Sequence, residues 1–566
     1  MEINVLIGGA AGQGMETIMN LLGKALVRED FGLIYTKDYM SRVRGGHNFS
    51  RLRIAPGQPW TTVESIDVLV ALNEETYRKH SQNLVPSGRV IYDPELFSLP
   101  GDESRGVPVE LKKLAEEAGG RVMANTVAVG ALLVLMGLET STVEELLIDT
   151  FAGKEGVAEK NIKALKAGYD SAARTCSACF ELPAKNQDGK KLFIDGNQVV
   201  GMAALASGCR FLSAYPMTPA TGIMNYLASK SPDYPVIVEQ AEDEIAAINM
   251  ALGAAYAGVR AMTCTSGGGF SLMAEGVSLA GMTETPLVIV VGMRPGPATG
   301  LPTRTEQADL EFILHSGHGE FPRAVLSATS HDDAFYRLNK AFELADRYQT
   351  PVFFLTDQNF ADTHRSVGLY DFSRLVYNRF LAAESDFEKP YKRYRITESG
   401  ISPRILPGQY EGETVLIDSD EHDEKGNIIE DASTRRTMVD KRMRKLNGMA
   451  EEMDEPDLYG DPHPEVLLIG WGSTYGVIRE AVDALIARGI KSAMLHFSDL
   501  WPLPQKRLHS LLAEVKHSFC IENNAGGQLS KLIRRESGLS INSNILKYDG
   551  RPFLPDEIVK EVQNDL

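Results

Sequence analysis

Residues 235–270 read PVIVEQAEDEIAAINMALGAAYAGVRAMTCTSGGGF. Val236–Val238 is short, apolar and β-branched, which predicts a strand. Ala241–Tyr256 is apolar nearly all round, which predicts a buried helix. Ala261–Thr265 reads as the next strand, and a glycine turn follows it. Strand, helix and strand in that order form the unit from which parallel α/β sheets are built. Glu244 stands where the acidic run Glu239–Glu244 meets the apolar helix. A buried carboxyl favours its protonated form, which suits proton transfer, yet a carboxylate in a first helical turn is also an ordinary dipole partner. The residues alone leave both readings open.

The same rhythm continues on both sides. Upstream, Asn197 is placed to cap a helix running to Ser207, and the strand Phe211–Tyr215 leads into Tyr215-Pro216-Met217-Thr218-Pro219. The prolines halt the strand and present the Thr218 hydroxyl at the carboxyl edge of a parallel sheet, where such folds bind ligands; a purely structural turn is the alternative. Downstream come a helix around 271–281, the strand Leu287–Val291 and the strand Val352–Leu355. Arg294 opens the loop RPGPATGLPTRTEQ, which ends at Gln307 and is shaped by glycine and proline. Its guanidinium could bind a carboxylate bidentately.

Further α/β blocks flank this one. The first has a strand (Val5–Gly8), a turn GGAAGQG, a helix (Met15–Val27), strands near Val68–Leu72 and Val90–Tyr92, and a helical tail, Ala124–Leu138. Gly12 and Gly14 in that turn let backbone N–H groups approach an anion at the helix start. The order G-x-x-G-x-G departs from the dinucleotide fingerprint, so tight packing or another phosphate-bearing ligand is the better reading. Arg42-Val43-Arg44-Gly45-Gly46-His47-Asn48 is a basic cluster that suits a phosphate or carboxylate equally well as open solvent. Cys176-x-x-Cys179 is at most half a metal site. The expected divisions are a first domain at 1–182, a polar linker, a central domain at 192–367, an irregular segment at 368–462 with one helix in Arg435–Met453, and a C-terminal domain at 463–566. In the last, strands at Val466–Ile469, Ser492–His496 and Ser518–Glu522 accompany a helix at Tyr475–Ala487.

Composition narrows the function. The 566 residues are 43% hydrophobic and 24% charged, a globular profile. Lys and Arg number 58 against 76 Asp and Glu, a formal net charge of −18, which argues against nucleic acid or an anionic membrane as the main partner. Five scattered cysteines are no disulfide framework and fit a reducing cytosol. No apolar run reaches the ~20 residues of a membrane span, and EINVLI at residues 2–7 is a strand and not a signal peptide, so a soluble, cytoplasmic protein is expected.

In order, YPMTP, EDEIAAINMALGAAYAG, TSGGGFSLMAEG and RPGPATGLPTRTEQADL closely resemble the α subunits of 2-oxoacid:ferredoxin oxidoreductases, in the form with a γ domain fused ahead of the α region. GGAAGQG and RVRGGHN resemble the γ domain, SDEHDEKG and KRMRKL the intervening segment, and GWGSTYG and ENNAGGQL the transketolase C-terminal-like domain. The resemblance implies an α/β protein of several parallel-sheet domains. It also implies conversion of a 2-oxoacid, coenzyme A and oxidised ferredoxin to acyl-CoA, CO₂ and reduced ferredoxin. The central domain would bind the pyrimidine half of thiamine diphosphate, with Tyr215 and Pro216 on that side. Glu244 resembles the glutamate that hydrogen-bonds N1′ of the aminopyrimidine and so activates the cofactor. Thr218 resembles a substrate-contacting threonine, Arg294 the arginine that binds the C1 carboxylate, and Thr303 a further polar contact. Gly12, Gly14, Arg42 and Arg44 are the implied coenzyme A contacts.

No Asp-Gly pair here is preceded by Gly, so the G-D-G…N segment that holds Mg²⁺ and diphosphate is missing, and the cysteines are too few and too scattered for a [4Fe–4S] cluster. Both are expected on a β subunit, with no metal ligand in this chain and an assembly that is a dimer of αβ heterodimers. The fused arrangement points first to 2-oxoglutarate, then to pyruvate or branched-chain and aryl oxoacids. Acidic ferredoxin, repelled by this surface, is expected to dock on β. A nicotinamide-dependent dehydrogenase and a non-catalytic acyl-CoA-binding partner protein are the competing readings.

Overall fold

The computed structural model describes residues 2–41, 46–101, 103–186 and 189–566. Two compact units emerge, Met1–Ile194 with Asp362–Leu369, and Asp195–Ala361 with Tyr370–Leu566. The stretch expected as a central domain to residue 367 therefore lends its end to the first unit, where the strand His364–Gly368 pairs antiparallel with Gly32–Asp38. No helix among the described residues is long and apolar enough to cross a membrane.

The first unit is built on a mixed sheet. Ile3–Ala10, Ile66–Ala71, Leu84–Tyr92 and Gly106–Pro108 run parallel, whereas His47–Ala55 is antiparallel to both Ile3–Ala10 and Gly32–Asp38. The link from Asp38 to His47 is too short for a crossover, so it closes a hairpin. Arg42 and Arg44 lie in that link, outside the described residues. Helix Ala124–Leu135, buried from Thr126 onward, lies close against Val157–Ala173. Gly130 and Gly168 permit this, since a Cβ at either would strike a carbonyl of the other helix, that of Leu165 or Val127. In the turn before helix Met15–Arg28, Gly12 and Gly14 take φ of 87° and 73°, which glycine adopts without strain. Gln13 Oε1 accepts from Ala10 N at 2.6 Å and holds the turn from within. Cys176 and Cys179, read from sequence as at most half a metal site, are joined as a disulfide; Cys209, Cys264 and Cys520 are free and buried.

In the second unit, Ala324–Ser327, Pro351–Asp357, Leu287–Met293, Arg260–Thr265, Cys209–Ala214 and Ile237–Gln240 form a parallel sheet in that order. Asp499–Trp501, from the C-terminal part of the chain, closes the edge antiparallel to Ala324–Ser327. The C-terminal sheet runs Asp457–Gly460, Ser492–Phe497, Val466–Trp471, His517–Glu522 and Ser543–Leu546, parallel except at its first strand. One apolar core serves both sheets, with Phe270, Ile289 and Phe353 continuous with Ile469, Trp471 and Leu495. Two sequence readings change here. Helix Gly196–Ala206 is capped by Asp195, in a capping box with Gln198, and not by Asn197. Helix Glu244–Tyr256, expected to be buried all round, turns only Glu244, Ala247, Ile248, Ala251, Leu252 and Ala255 inward, and leaves Ile245 49% and Met250 42% exposed because no described residue covers that side.

The irregular stretch after Leu369 contains one long helix, Ala432–Glu451, and is fastened to the sheet by buried charge. Asp346 accepts from Arg260 (2.8 Å), Arg379 (3.2 Å) and Arg404 (2.9 Å). Glu284 pairs with Lys441 at 2.6 Å and Lys445 at 2.5 Å, all three inaccessible to solvent, and Arg393 donates to the Glu284 carbonyl at 2.6 Å. Burial alone would raise the Glu284 pKa, but the facing cations hold it far below the carboxylate range, while burial pushes Lys441 down to about 7.

His47 and His80 in the first unit are buried with their Nε2 atoms 2.8 Å apart, one donating and the other accepting. Burial, and then the neighbouring His47 and Arg51, push His80 down to about 4; burial lowers His47 as well. Unfolded histidines titrate near 6.5, so as the pH falls from about 6.5 to 4 the unfolded chain binds more protons and stability is lost. Over that window wild type is expected to lose more unfolding free energy than His80→Leu in denaturant titrations; parallel losses would mean the pair stays neutral for no thermodynamic gain.

Candidate active site

The parallel strands of the second unit deliver their carboxyl ends to one edge. Cys209–Ala214 leads there into Tyr215–Pro219, Ile237–Gln240 into the turn before Glu244, Arg260–Thr265 into the short helix Gly267–Leu272, and Leu287–Met293 into Arg294. Asn197, freed from the capping role, donates from Nδ2 to the Pro219 carbonyl at 3.0 Å and supports the Tyr215–Pro219 turn. Gly292 leaves room for the same turn, since a Cβ there would lie 2.9 Å from the Pro219 ring. Arg294 Nη1 then donates to the Thr218 carbonyl at 2.8 Å. Two residues singled out from sequence thus meet, through the Thr218 backbone and not its hydroxyl. Thr303 sits at a turn further along the Arg294 loop and is half-buried. Tyr215 is exposed and Pro216 half-buried at the end of their strand. Gly12 and Gly14 belong to the first unit.

Glu244 is 3% exposed at the start of its helix, and its Oε1 has no hydrogen-bond partner among the described residues. A buried carboxyl oxygen without a donor is costly, which marks the position as one reserved for a donor from outside the chain. The oxygen lies over Gly269, where a Cβ would strike both Glu244 Oε1 and Thr265 Oγ1. On the same short helix a Cβ at Gly267 would strike the Asp309 carboxyl, whose Oδ2 is also buried without a partner. The glycines of TSGGG are therefore the surface on which two carboxyls rest. Burial raises Asp309 to about 6, against the pull of Arg294. Burial in turn lowers the Arg294 guanidinium, and Asp309 opposes that shift. Glu306 is likewise raised to about 6 by burial and then by Asp309.

Sequence reasoning gave no role at this site to Gly267, Gly269 or Asp309, and read Asn197 only as a cap. Glycines in a helix are costly, so three in succession at a helix start were a readable sign of close approach. Asp309 carried no such signal, because only the return of the loop places it beside Arg294. Among the described residues no group of three or more His, Cys, Asp or Glu is placed to hold a metal ion.

Residues 4–171 match the family described as pyruvate ferredoxin/flavodoxin oxidoreductase, 202–441 pyruvate flavodoxin/ferredoxin oxidoreductase, thiamine diP-binding, and 464–558 pyruvate:ferredoxin oxidoreductase core domain II. The chain is 33% identical to the 2-oxoacid:ferredoxin oxidoreductase subunit alpha of Sulfolobus sp., over 99% of this chain and 96% of that one. The chain belongs to the family of 2-oxoacid:ferredoxin oxidoreductase α subunits. Another relative, the 2-oxoglutarate oxidoreductase subunit KorA of Mycobacterium tuberculosis, is 32% identical over 98% of this chain and 90% of its own length. A solved 2-oxoglutarate:ferredoxin oxidoreductase from Magnetococcus marinus, with 2-oxoglutarate, coenzyme A and succinyl-CoA bound, superposes with a TM-score of 0.92 at 32% identity, covering 100% of this chain and 99% of that one. In this α subunit the thiamine-diphosphate-binding match contains Thr218, Glu244 and Arg294, all at the edge described above.

Gly269→Ala isolates the role of that surface. Alanine favours a helix over glycine by about 1 kcal/mol, so propensity alone predicts a gain in stability. The Cβ would instead displace Glu244, and the assembled enzyme is expected to bind thiamine diphosphate at least about tenfold more weakly by titration calorimetry. Unchanged affinity would show that the carboxyl can move without consequence.

Proposed function

We propose that this chain supplies Glu244 and the oxoacid-binding loop to an enzyme that converts a 2-oxoacid, coenzyme A and oxidised ferredoxin to acyl-CoA, CO₂ and reduced ferredoxin, with 2-oxoglutarate as the preferred oxoacid. The buried, unpartnered Oε1 of Glu244 carries the reading. It fits thiamine diphosphate, whose aminopyrimidine N1′ can supply the missing hydrogen-bond partner. When bound, the cofactor supplies the reactive carbon on which the oxoacid is decarboxylated and its electrons are collected. Glu244 would share a proton with N1′ and favour the tautomer of the aminopyrimidine that activates that carbon. Tyr215 and Pro216, at the end of the strand before Thr218, would lie on the pyrimidine side. Arg294, anchored through one nitrogen on Thr218, directs its remaining donors to the C1 carboxylate, with Thr218 and Thr303 as further polar contacts. A guanidinium fixed in that way orients the carbonyl for attack without a search at each turnover.

The preference for 2-oxoglutarate is supported by the Magnetococcus enzyme, which matches the whole chain. The partner is a β subunit that brings the diphosphate and Mg²⁺ half-site and a [4Fe–4S] cluster, assembled as a dimer of αβ units. Two observations support it: the sequence has no G-D-G segment, and Ile237, Ile245, Met250 and Leu272, on the strand before Glu244, the helix it opens and the glycine helix Gly267–Leu272, are exposed at 63%, 49%, 42% and 52%. Large apolar side chains left open on three successive elements suit a covering protein. The first unit receives coenzyme A through Gly12, Gly14, Arg42 and Arg44, and ferredoxin docks on β.

Co-expression with the β subunit tests the whole assignment through oxoacid-dependent reduction of ferredoxin or viologen. Glu244→Gln should reduce turnover by at least about a hundredfold, the usual scale of a lost acid–base group, while the complex still assembles. Near-normal turnover would remove Glu244 from the chemistry. Arg294→Ala should raise the oxoacid KM about a hundredfold, as for loss of a charged hydrogen bond, with the coenzyme A KM unchanged. A kcat/KM for pyruvate above that for 2-oxoglutarate would overturn the substrate preference.

A further inference from the structure

Motifs from separate stretches of the second unit converge on Gln307, a fully buried side chain near the end of the Arg294 loop. Its Nε2 donates to the Trp471 carbonyl at 2.8 Å, and its Oε1 accepts from Asn523 N at 3.0 Å. Its own backbone N–H donates to the Asn523 carbonyl at 2.6 Å, and Asn524 Nδ2 donates to its carbonyl at 3.1 Å. Gly472 of GWGSTYG leaves space for this side chain, since a Cβ there would lie 2.6 Å from Gln307 Nε2. One residue on, Gln528 Nε2 donates to the Ala308 carbonyl at 2.7 Å, and its Oε1 accepts from Glu311 N at 3.0 Å.

A single carboxylate organises the receiving side. Glu522, fully buried, accepts from Trp471 Nε1 at 3.2 Å, Asn524 Nδ2 at 2.9 Å and Leu529 N at 2.9 Å. The Trp471 and Asn524 groups that grip Gln307 are therefore themselves held in place. Asp309, whose carboxyl rests on Gly267, lies between the attachments at Ala308 and Glu311, so the end of the loop is fixed on both sides of it.

We infer that the turn after His517–Glu522 is a clamp on the oxoacid loop, in which Gln307 and Asn524 are positioning residues that fix the far end of the loop that Arg294 opens. The inference rests on the reading of Arg294 as the carboxylate anchor. From Pro295 to Asp309 the chain has no helix or strand, so an untethered loop would have to be ordered at each binding event. The Thr218 contact tethers its start and Gln307 its end. Loss of the end tether therefore falls on oxoacid affinity, while Glu244, on another element, keeps its setting.

The test uses the complex with the β subunit and measures steady-state kinetics together with hydrogen exchange. Gln307→Ala and Asn524→Ala should each raise the oxoacid KM about tenfold, the scale of one lost buried hydrogen-bonded contact. Turnover at saturation should stay within about threefold, and the coenzyme A KM should not move. Amides of residues 298–306 should exchange faster, with Leu287–Met293 and Pro351–Asp357 still protected. Gln528→Ala, outside the Glu522 network, should act in the same direction and covers the case in which Asn524→Ala fails to fold. Arg294→Ala in parallel separates the two claims. If it raises the oxoacid KM and the clamp variants do not, the clamp is wrong; if it leaves KM unchanged, the premise fails and the clamp with it. Equal changes for oxoacid and coenzyme A would reduce the network to plain stability and overturn the inference.

Discussion

Parallel backbone pairing of Leu287–Met293 with Pro351–Asp357 on one side and Arg260–Thr265 on the other is the constraint on which the second unit depends. These strands are buried along their length, and pairing of this kind sends every carboxyl end the same way. Loops of very different composition are thereby brought to a common edge: a proline turn, a glycine helix and an arginine loop. None needs to be stable alone, because each leaves a strand that the core already holds. Asp357, at the end of its strand, carries the same logic across the sheets, accepting from Thr305 of the arginine loop and Ser473 of the C-terminal part.

Two carboxyls on a glycine surface have a thermodynamic consequence. Glu244 and Asp309 each keep a buried oxygen without a donor among the described residues, a cost the rest of the fold has to offset. Groups left in such a state are found where the protein awaits another molecule, since the missing contact is then made on binding. Strands Arg260–Thr265, Leu287–Met293 and Pro351–Asp357 are buried along their length, which supplies the stability that the edge gives up.

What could be read in the sequence followed the range of the interaction. Helix Tyr475–Ala487 has the expected bounds, and Ala432–Glu451 overlaps the helix expected in Arg435–Met453, because both arise from neighbours along the chain. Glu244, Thr218 and Arg294 were legible because each stands next to a strand end or a buried run. The strand His364–Gly368 was not, since its five residues pair with a hairpin far upstream, and Asp499–Trp501 likewise finds its partner in another sheet. Asn197 has the chemistry of a cap, but Asp195 reaches the helix start first and leaves it to the Pro219 carbonyl. The outward face of Glu244–Tyr256 was misread for a related reason: periodicity reports what is apolar, and cannot say whether the cover belongs to the same chain.

The ion-pair cluster beneath Ala432–Glu451 bears on how a long irregular stretch behaves. Glu284 faces Lys441, Lys445 and Arg393, and Asp346 faces Arg260, Arg379 and Arg404, all buried except the half-buried Arg379. Peeling away any one segment would strand opposite charges in the interior, a penalty larger than most local openings can meet. Residues 370–451 are thus locked as one cooperative piece despite their scarcity of helix and strand. A protease that relies on local fraying would find few footholds there, and irregular backbone in this protein is no sign of looseness.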